Sequence, residues 1–149
     1  MLKKFTPLIA FMFAILSLAG CSKDDSISDT ADLEGSWSIS GIQSDDAYDW
    51  DGDGFQERDI LSTYSPCERD IVLVFEPNGD GQISEGCTDP FSYFSWQYSG
   101  NQLRLDIPSG VIDLDLRQFS SNTIRGVDYV QVGGRSFQIT YTLTRRQRG

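Results

Sequence analysis

Apolar residues recur at every second position along most of the chain beyond residue 33, and that period of two dictates strands. Leu103, Leu105 and Ile107 alternate with Arg104 and Asp106, and Ile112, Leu114 and Leu116 alternate with Asp113, Asp115 and Arg117. Phe137, Ile139, Tyr141 and Leu143 alternate with polar neighbours, as do Trp37 and Ile39 with Ser36, Ser38 and Ser40. Successive strand residues face opposite ways, so each pattern buries one face and wets the other. Phe94, Trp96 and Tyr98 repeat the alternation, and residues Ile124 to Val130 follow it weakly around Gly126. The unbroken apolar run Ile71 to Phe75 predicts a strand covered more fully. Turn residues separate these segments on schedule: Pro77-Asn78-Gly79-Asp80-Gly81, Ser99-Gly100-Asn101, Pro108-Ser109-Gly110, Ser120-Ser121-Asn122 and Gly133-Gly134. Such chemistry marks hairpins. The expectation is an all-β fold, an antiparallel up-and-down barrel of about eight strands, because closure removes exposed edges. Only Arg58 to Tyr64 reads as helical, and only briefly.

The first 20 residues have a different pattern. Lys3 and Lys4 precede an apolar run from Phe5 to Leu18, and Leu18-Ala19-Gly20-Cys21 closes it. Basic, apolar and small residues in that order read as a secretory signal peptide. The alternative, a transmembrane helix, needs about 20 apolar residues, more than this run supplies. The closing tetrapeptide resembles the lipobox of bacterial lipoproteins. That resemblance implies cleavage before Cys21, which then carries the lipid, palmitate included. Several acyl chains on one residue suffice for stable anchoring. Ser22-Lys23-Asp24-Asp25 resembles the signal that sends some lipoproteins to the cell surface, and it also reads as a plain solvated linker. The organisation expected is a signal peptide over 1–20, a flexible tether with lipidated Cys21 over 21–32, and a barrel domain over 33–149. The expected location is the outer membrane, lipid-anchored on either of its faces, the cell surface being one of the two. The tether would reach roughly 17–20 Å.

Without residues 1–20 the chain holds 10 basic and 22 acidic residues, a formal charge of −12. That excludes nucleic-acid binding by phosphate neutralisation. The sequence has no histidine, which removes Ser-His-Asp and Cys-His catalysis. Once Cys21 belongs to the lipid, Cys67 and Cys87 are left as a pair in an oxidising compartment, which predicts a disulfide.

Three segments together resemble the lipocalin-like domain of bacterial surface lipoproteins: Gly35-Ser36-Trp37, Phe75-Glu76-Pro77-Asn78-Gly79, and Trp96-Gln97-Tyr98-Ser99-Gly100-Asn101-Gln102-Leu103. The resemblance spans residues 33–146. It implies a small barrel or half-barrel, and a pairing of the first-strand tryptophan with an arginine on the last strand. Trp37 with Arg145 or Arg146 would form that cation–π pair.

The stretch Asp45 to Asp59 holds seven carboxylates and one arginine. Two unit charges about 6 Å apart in water repel by roughly 0.7 kcal/mol, so the loop must splay or hold a cation. Asp49, Asp51, Asp53 and Gly54 match the first half of a calcium loop. The carbonyl of Phe55 and the carboxylate of Glu57 would continue the set. The twelfth position, where a glutamate belongs, is Ile60, and Asp59 falls one residue early. The same residues also read as a solvated acidic loop with Asp-Gly turns.

The function expected is that of a non-catalytic binding module for a small apolar or glycan ligand, with calcium stabilising it. Tyr48, Trp50, Phe55, Phe91, Tyr93 and Phe94 lie in or near loops and would supply a rim. The alternative is a structural or accessory subunit bound to an envelope protein. An enzyme would need a carboxylate pair, as in glycoside hydrolysis, and nothing marks one.

Overall fold

The first strand sets the frame. In the computed structural model, which describes residues 32–87 and 90–147, β1 runs from Gly35 to Tyr48. The signal peptide, Cys21 and the tether as far as Ala31 lie outside the described residues. After β1 come β2 (Glu57–Asp59), the one-turn helix α1 (Ile60–Thr63), β3 (Ile71–Phe75) and β4 (Asp80–Glu85). Then follow β5 (Ser92–Ser99), β6 (Gln102–Ile107), β7 (Gly110–Phe119), β8 (Thr123–Val132) and β9 (Arg135–Arg145). Strands β3 to β9 each pair antiparallel with the next, and β1 pairs with both β3 and β9. That last pairing, from Trp37↔Arg145 to Ser44↔Ile139, closes an eight-stranded up-and-down barrel.

Alternation does not reveal β4, which opens on the turn residues Asp80 and Gly81, nor does it reveal β2. β2 adds to the far end of β1 through Gln43↔Asp59 and Tyr48↔Glu57, beyond the reach of β3. Its three residues are all charged, so no apolar phase announces it. The run Ile71–Phe75 also differs from expectation. Ile71, Leu73 and Phe75 are buried, whereas Val72 and Val74 are only half-buried on the outer face.

β1 changes phase part-way. Trp37 and Ile39 point inward, but the next inward residues are Ile42 and Ser44. A bulge between Ile39 and Gly41 adds one residue against β9 and flips the parity. The hairpin from β3 to β4 turns through Pro77–Gly79, with Asn78 at φ 82° and Gly79 at φ 87°. Just beyond it the ring of Phe94 lies over Gly81, where any Cβ would come within 2.3 Å of it.

The two ends of the barrel are filled differently. One end holds the strand starts and ends around Gly35, Pro77, Gly100 and Arg145. There Leu33 and Trp37 are fully buried, and Phe75 meets Phe94 and Trp96 edge-on at 5.5 Å each. Buried ring nitrogens need acceptors, and they have them: Trp37 Nε1 donates to the Leu33 carbonyl at 2.8 Å, Trp96 Nε1 to the Asp80 carbonyl at 2.7 Å. At the other end a smaller cluster of Ile42, Ile60, Phe137 and Ile139 gathers under α1.

Candidate functional site

Between these two clusters the barrel keeps a cavity of about 680 Å³, opening at the α1 end. Its depth is aliphatic, with Ile39, Leu73, Leu105, Ile112 and Leu143 among its walls. Ile60, Thr63 and Tyr64 of α1 and its C-cap cover part of the mouth, and Trp50 and Asp51 reach it from the β1–β2 loop. The volume lies within the roughly 300–1,000 Å³ of small-molecule sites.

The cover is tied down. Asp59 caps α1, its carboxylate accepting from Ser62 N–H at 3.2 Å. Arg69 donates to the Tyr64 carbonyl at 2.7 Å and the Ser62 carbonyl at 2.6 Å, satisfying acceptors at the helix C-terminus. The Cys67–Cys87 disulfide, with Cα atoms 5.3 Å apart, joins the segment after α1 to the end of the β3–β4 hairpin. Between those residues Glu68 accepts from Ser65 N–H at 2.8 Å, and hydrogen bonding from Ser65 holds its carboxyl below the usual glutamate value.

One polar tip points into the apolar half. Tyr141 lies in the inward row of β9, between Ile139 and Leu143, and lines the cavity. Burial, and after it the charge of Asp128 and the Tyr64 phenol, pushes its pKa up to about 12, so the phenol stays protonated. Tyr141 occupies a position that the sequence pattern marked only as apolar. The signal was present, since it is the one inward residue of that row with a polar end.

The acidic stretch divides into separate roles. Asp45 accepts from Gln138 N–H at 3.0 Å, and Asp46 pairs with Arg135 at 2.7 Å and Arg58 at 3.9 Å. Asp49, Asp51 and Asp53 bring carboxylate oxygens within 4.8 Å of one another. The loop wraps around them: Asp49 accepts from Gly52 N–H at 2.7 Å and Gly54 N–H at 3.0 Å. Asp51 accepts from Asp53 N–H at 3.2 Å, and Asp53 from Phe55 N–H at 2.8 Å. Trp50 Nε1 donates to the Glu57 carbonyl at 3.1 Å and closes the loop at its base.

Glu57 stands beside this cluster with a problem. Its Oε2 is buried and has no hydrogen-bond partner among the described residues. Burial raises its pKa, and the Asp51, Asp53 and Asp49 carboxylates raise it further. Asp59 is not brought to the cluster; capping α1 takes its carboxylate elsewhere. Phe55 projects into solvent, 73 % exposed.

The six loop aromatics do not form one rim. Phe94 is buried in the closed end, 5 % exposed, while Tyr93 and Phe91 stand outside as an edge-on pair at 5.6 Å. Tyr48 and Trp50 turn in against Phe137, the three rings meeting edge-on at 5.1 to 5.2 Å. At the closed end the Arg145 guanidinium lies over the Trp37 ring, 4.2 Å from its centroid. Arg145 also donates to the carbonyls of Glu34 at 2.9 Å, of Asp32 and of Ser121. It therefore laces the segment before β1 and the β7–β8 turn onto β9. No protein-family model and no curated protein matches the chain.

Proposed function

We propose that this protein is a lipoprotein with a lipocalin-like barrel, anchored through Cys21 to the outer membrane and displayed at the cell surface. In this reading it does no catalysis and carries a small apolar or amphipathic ligand. The observation that carries the proposal is the cavity of about 680 Å³ with aliphatic walls. An apolar molecule moved from water into such walls gains roughly 25 cal/mol per Å² of apolar surface. The glycan alternative draws less support, because three of the six candidate rim aromatics turn inward.

The loop around Asp49, Asp51 and Asp53 suits calcium in the same proposal. Hard cations take carboxylate and carbonyl oxygens, and the loop gathers three carboxylates in a shell of its own N–H donors. Asp49, Asp51 and Asp53 would hold the ion, with the carbonyl of Phe55. Glu57, whose buried Oε2 has no hydrogen-bond partner among the described residues, would complete the set. The ion would neutralise the crowded charge there.

Native mass spectrometry of the purified full-length protein tests both statements. The expected spectrum shows a bound molecule of a few hundred daltons or, after delipidation, uptake of an apolar dye. A protein that comes down bare and takes up no dye refutes the carrier reading. A stoichiometric protein partner in its place establishes the accessory role. For calcium the measurement is thermal. An ion at a hundredfold excess over its Kd stabilises by about 2.7 kcal/mol. An identical midpoint in millimolar calcium and in chelator ends that part of the proposal.

A further inference from the structure

The cavity has a charge asymmetry that narrows its ligand. Its depth is aliphatic, but three exposed acidic residues line it at the open end: Asp51, Glu68 and Glu85, the last engaged in an interaction of its own. They come from three separate parts of the chain. Asp51 is in the β1–β2 loop, Glu68 follows α1, and Glu85 ends β4, where its Cα partners Ile71. Among the described residues that line the cavity there is no lysine or arginine. The cation nearest in sequence, Arg69, is turned to the carbonyls of Tyr64 and Ser62. Glu68 is held in place by its bond from Ser65 N–H.

An apolar site with an anionic mouth discriminates by head group. A carboxylate-headed chain would place its charge beside Asp51 and Glu68, and like charges a few ångströms apart repel. A cationic head is attracted by both. Trp50 also lines the cavity, and the indole ring attracts a cation over its face. We infer that the ligand is a cationic amphiphile. Its hydrocarbon part lies among Ile39, Leu105 and Ile112, and its ammonium-type head sits at the mouth between Glu68 and Trp50, joined by Asp51 when the β1–β2 loop holds no calcium. This inference rests on the carrier function proposed above and names the chemical class carried.

The test uses three probes of equal chain length, octyltrimethylammonium, octanol and octanoate, each below its micelle concentration. They are titrated by calorimetry into the full-length protein in zwitterionic nanodiscs, with empty discs subtracted and chelator present to keep Asp51 free of calcium. The expected order is ammonium, then alcohol, then carboxylate, with steps of about tenfold. The ammonium preference shrinks as salt is raised, because charges at an exposed mouth are screened over about 8 Å at physiological ionic strength. Glu68→Gln combined with Asp51→Asn brings the ammonium probe down to the alcohol's affinity. Binding of none of the three refutes the carrier reading itself. Binding of all three without preference, or with the carboxylate favoured, overturns the head-group inference and leaves the carrier reading standing.

Discussion

Replacing both Cys67 and Cys87 with serine removes a cross-link and little else. Both residues are exposed, so the change opens no hole in the core. The backbone between them is already an antiparallel hairpin, with β3 and β4 paired from Ile71↔Glu85 to Phe75↔Gly81. The native state therefore keeps its ladder, and the main effect falls on the unfolded chain. A bridge over a sequence separation of 20 closes a loop whose lost entropy is about 11 cal/mol/K, or about 3.3 kcal/mol at 25 °C. A barrel of about 115 residues unfolds with an entropy of roughly 0.24 kcal/mol/K, so the midpoint should fall by about 14 °C. Differential scanning calorimetry measures the fall, and a urea titration measures the slope m. The slope should rise, because the unfolded chain without the bridge exposes more surface. A fall of less than about 4 °C with an unchanged slope would refute the reasoning. It would mean that the hairpin persists in the unfolded ensemble and that the bridge constrains nothing further.

Arg145→Ala should cost about 2–3 kcal/mol in urea denaturation, since it removes the stack on Trp37 together with the bonds to Glu34, Asp32 and Ser121. Arg145→Lys should recover only part of it, because a lysine lacks the planar fork. Glu57→Gln should raise the melting temperature in chelator at neutral pH and abolish any calcium shift. Folding raises this carboxyl above 4.5, so the native state binds the extra proton and stability falls as pH rises through that window. The gap between Glu57→Gln and the parent should accordingly close below pH 4.5, and a gap independent of pH would contradict the assignment. In a spectrophotometric titration one tyrosine should ionise late, near pH 12, and Tyr141→Phe should delete that step. Because the unfolded tyrosine loses its proton near pH 10 and the folded one near 12, stability should fall between those values in the parent and less so in the variant.

Where alternation was continuous, the sequence was enough. β6, β7 and β9 lie where Leu103–Ile107, Ile112–Leu116 and Phe137–Leu143 place them, and the intervening turns join them as hairpins. The reading of β1 stopped at Ser40 because the bulge there shifts the inward phase from odd to even positions, and a single-period search loses the strand. β2 was illegible for another reason. Glu57, Arg58 and Asp59 pair with the free end of β1 through backbone and the Arg58–Asp46 ion pair, and neither leaves an apolar pattern in the sequence. The Cys67–Cys87 bridge was legible by elimination, whereas the inward fate of Tyr48, Trp50 and Phe94 depends on Phe137 and Gly81, residues far away in the chain.

Whether the barrel is filled or hollow is not written in the alternation but in the size of the inward residues. At the closed end those positions carry Trp37, Phe75, Phe94, Trp96 and Leu103, large side chains that meet across the axis. Toward the open end they become Ile39, Ile83, Ile107, Ile112 and Val130. Branching at Cβ puts the bulk of these side chains close to the backbone, so a ring of them lines a wall without reaching the centre. A fold selected for stability alone would fill that space, since empty volume costs roughly 24 cal/mol per Å³ in protein cores. This chain concentrates its large rings and the Arg145 lacing at one end, partly covers the other with a single turn of helix held by a disulfide, and leaves open the volume between them. That distribution suits the carrier proposed above, which would need a rigid base, aliphatic walls that do not collapse, and a mouth whose charges select the ligand.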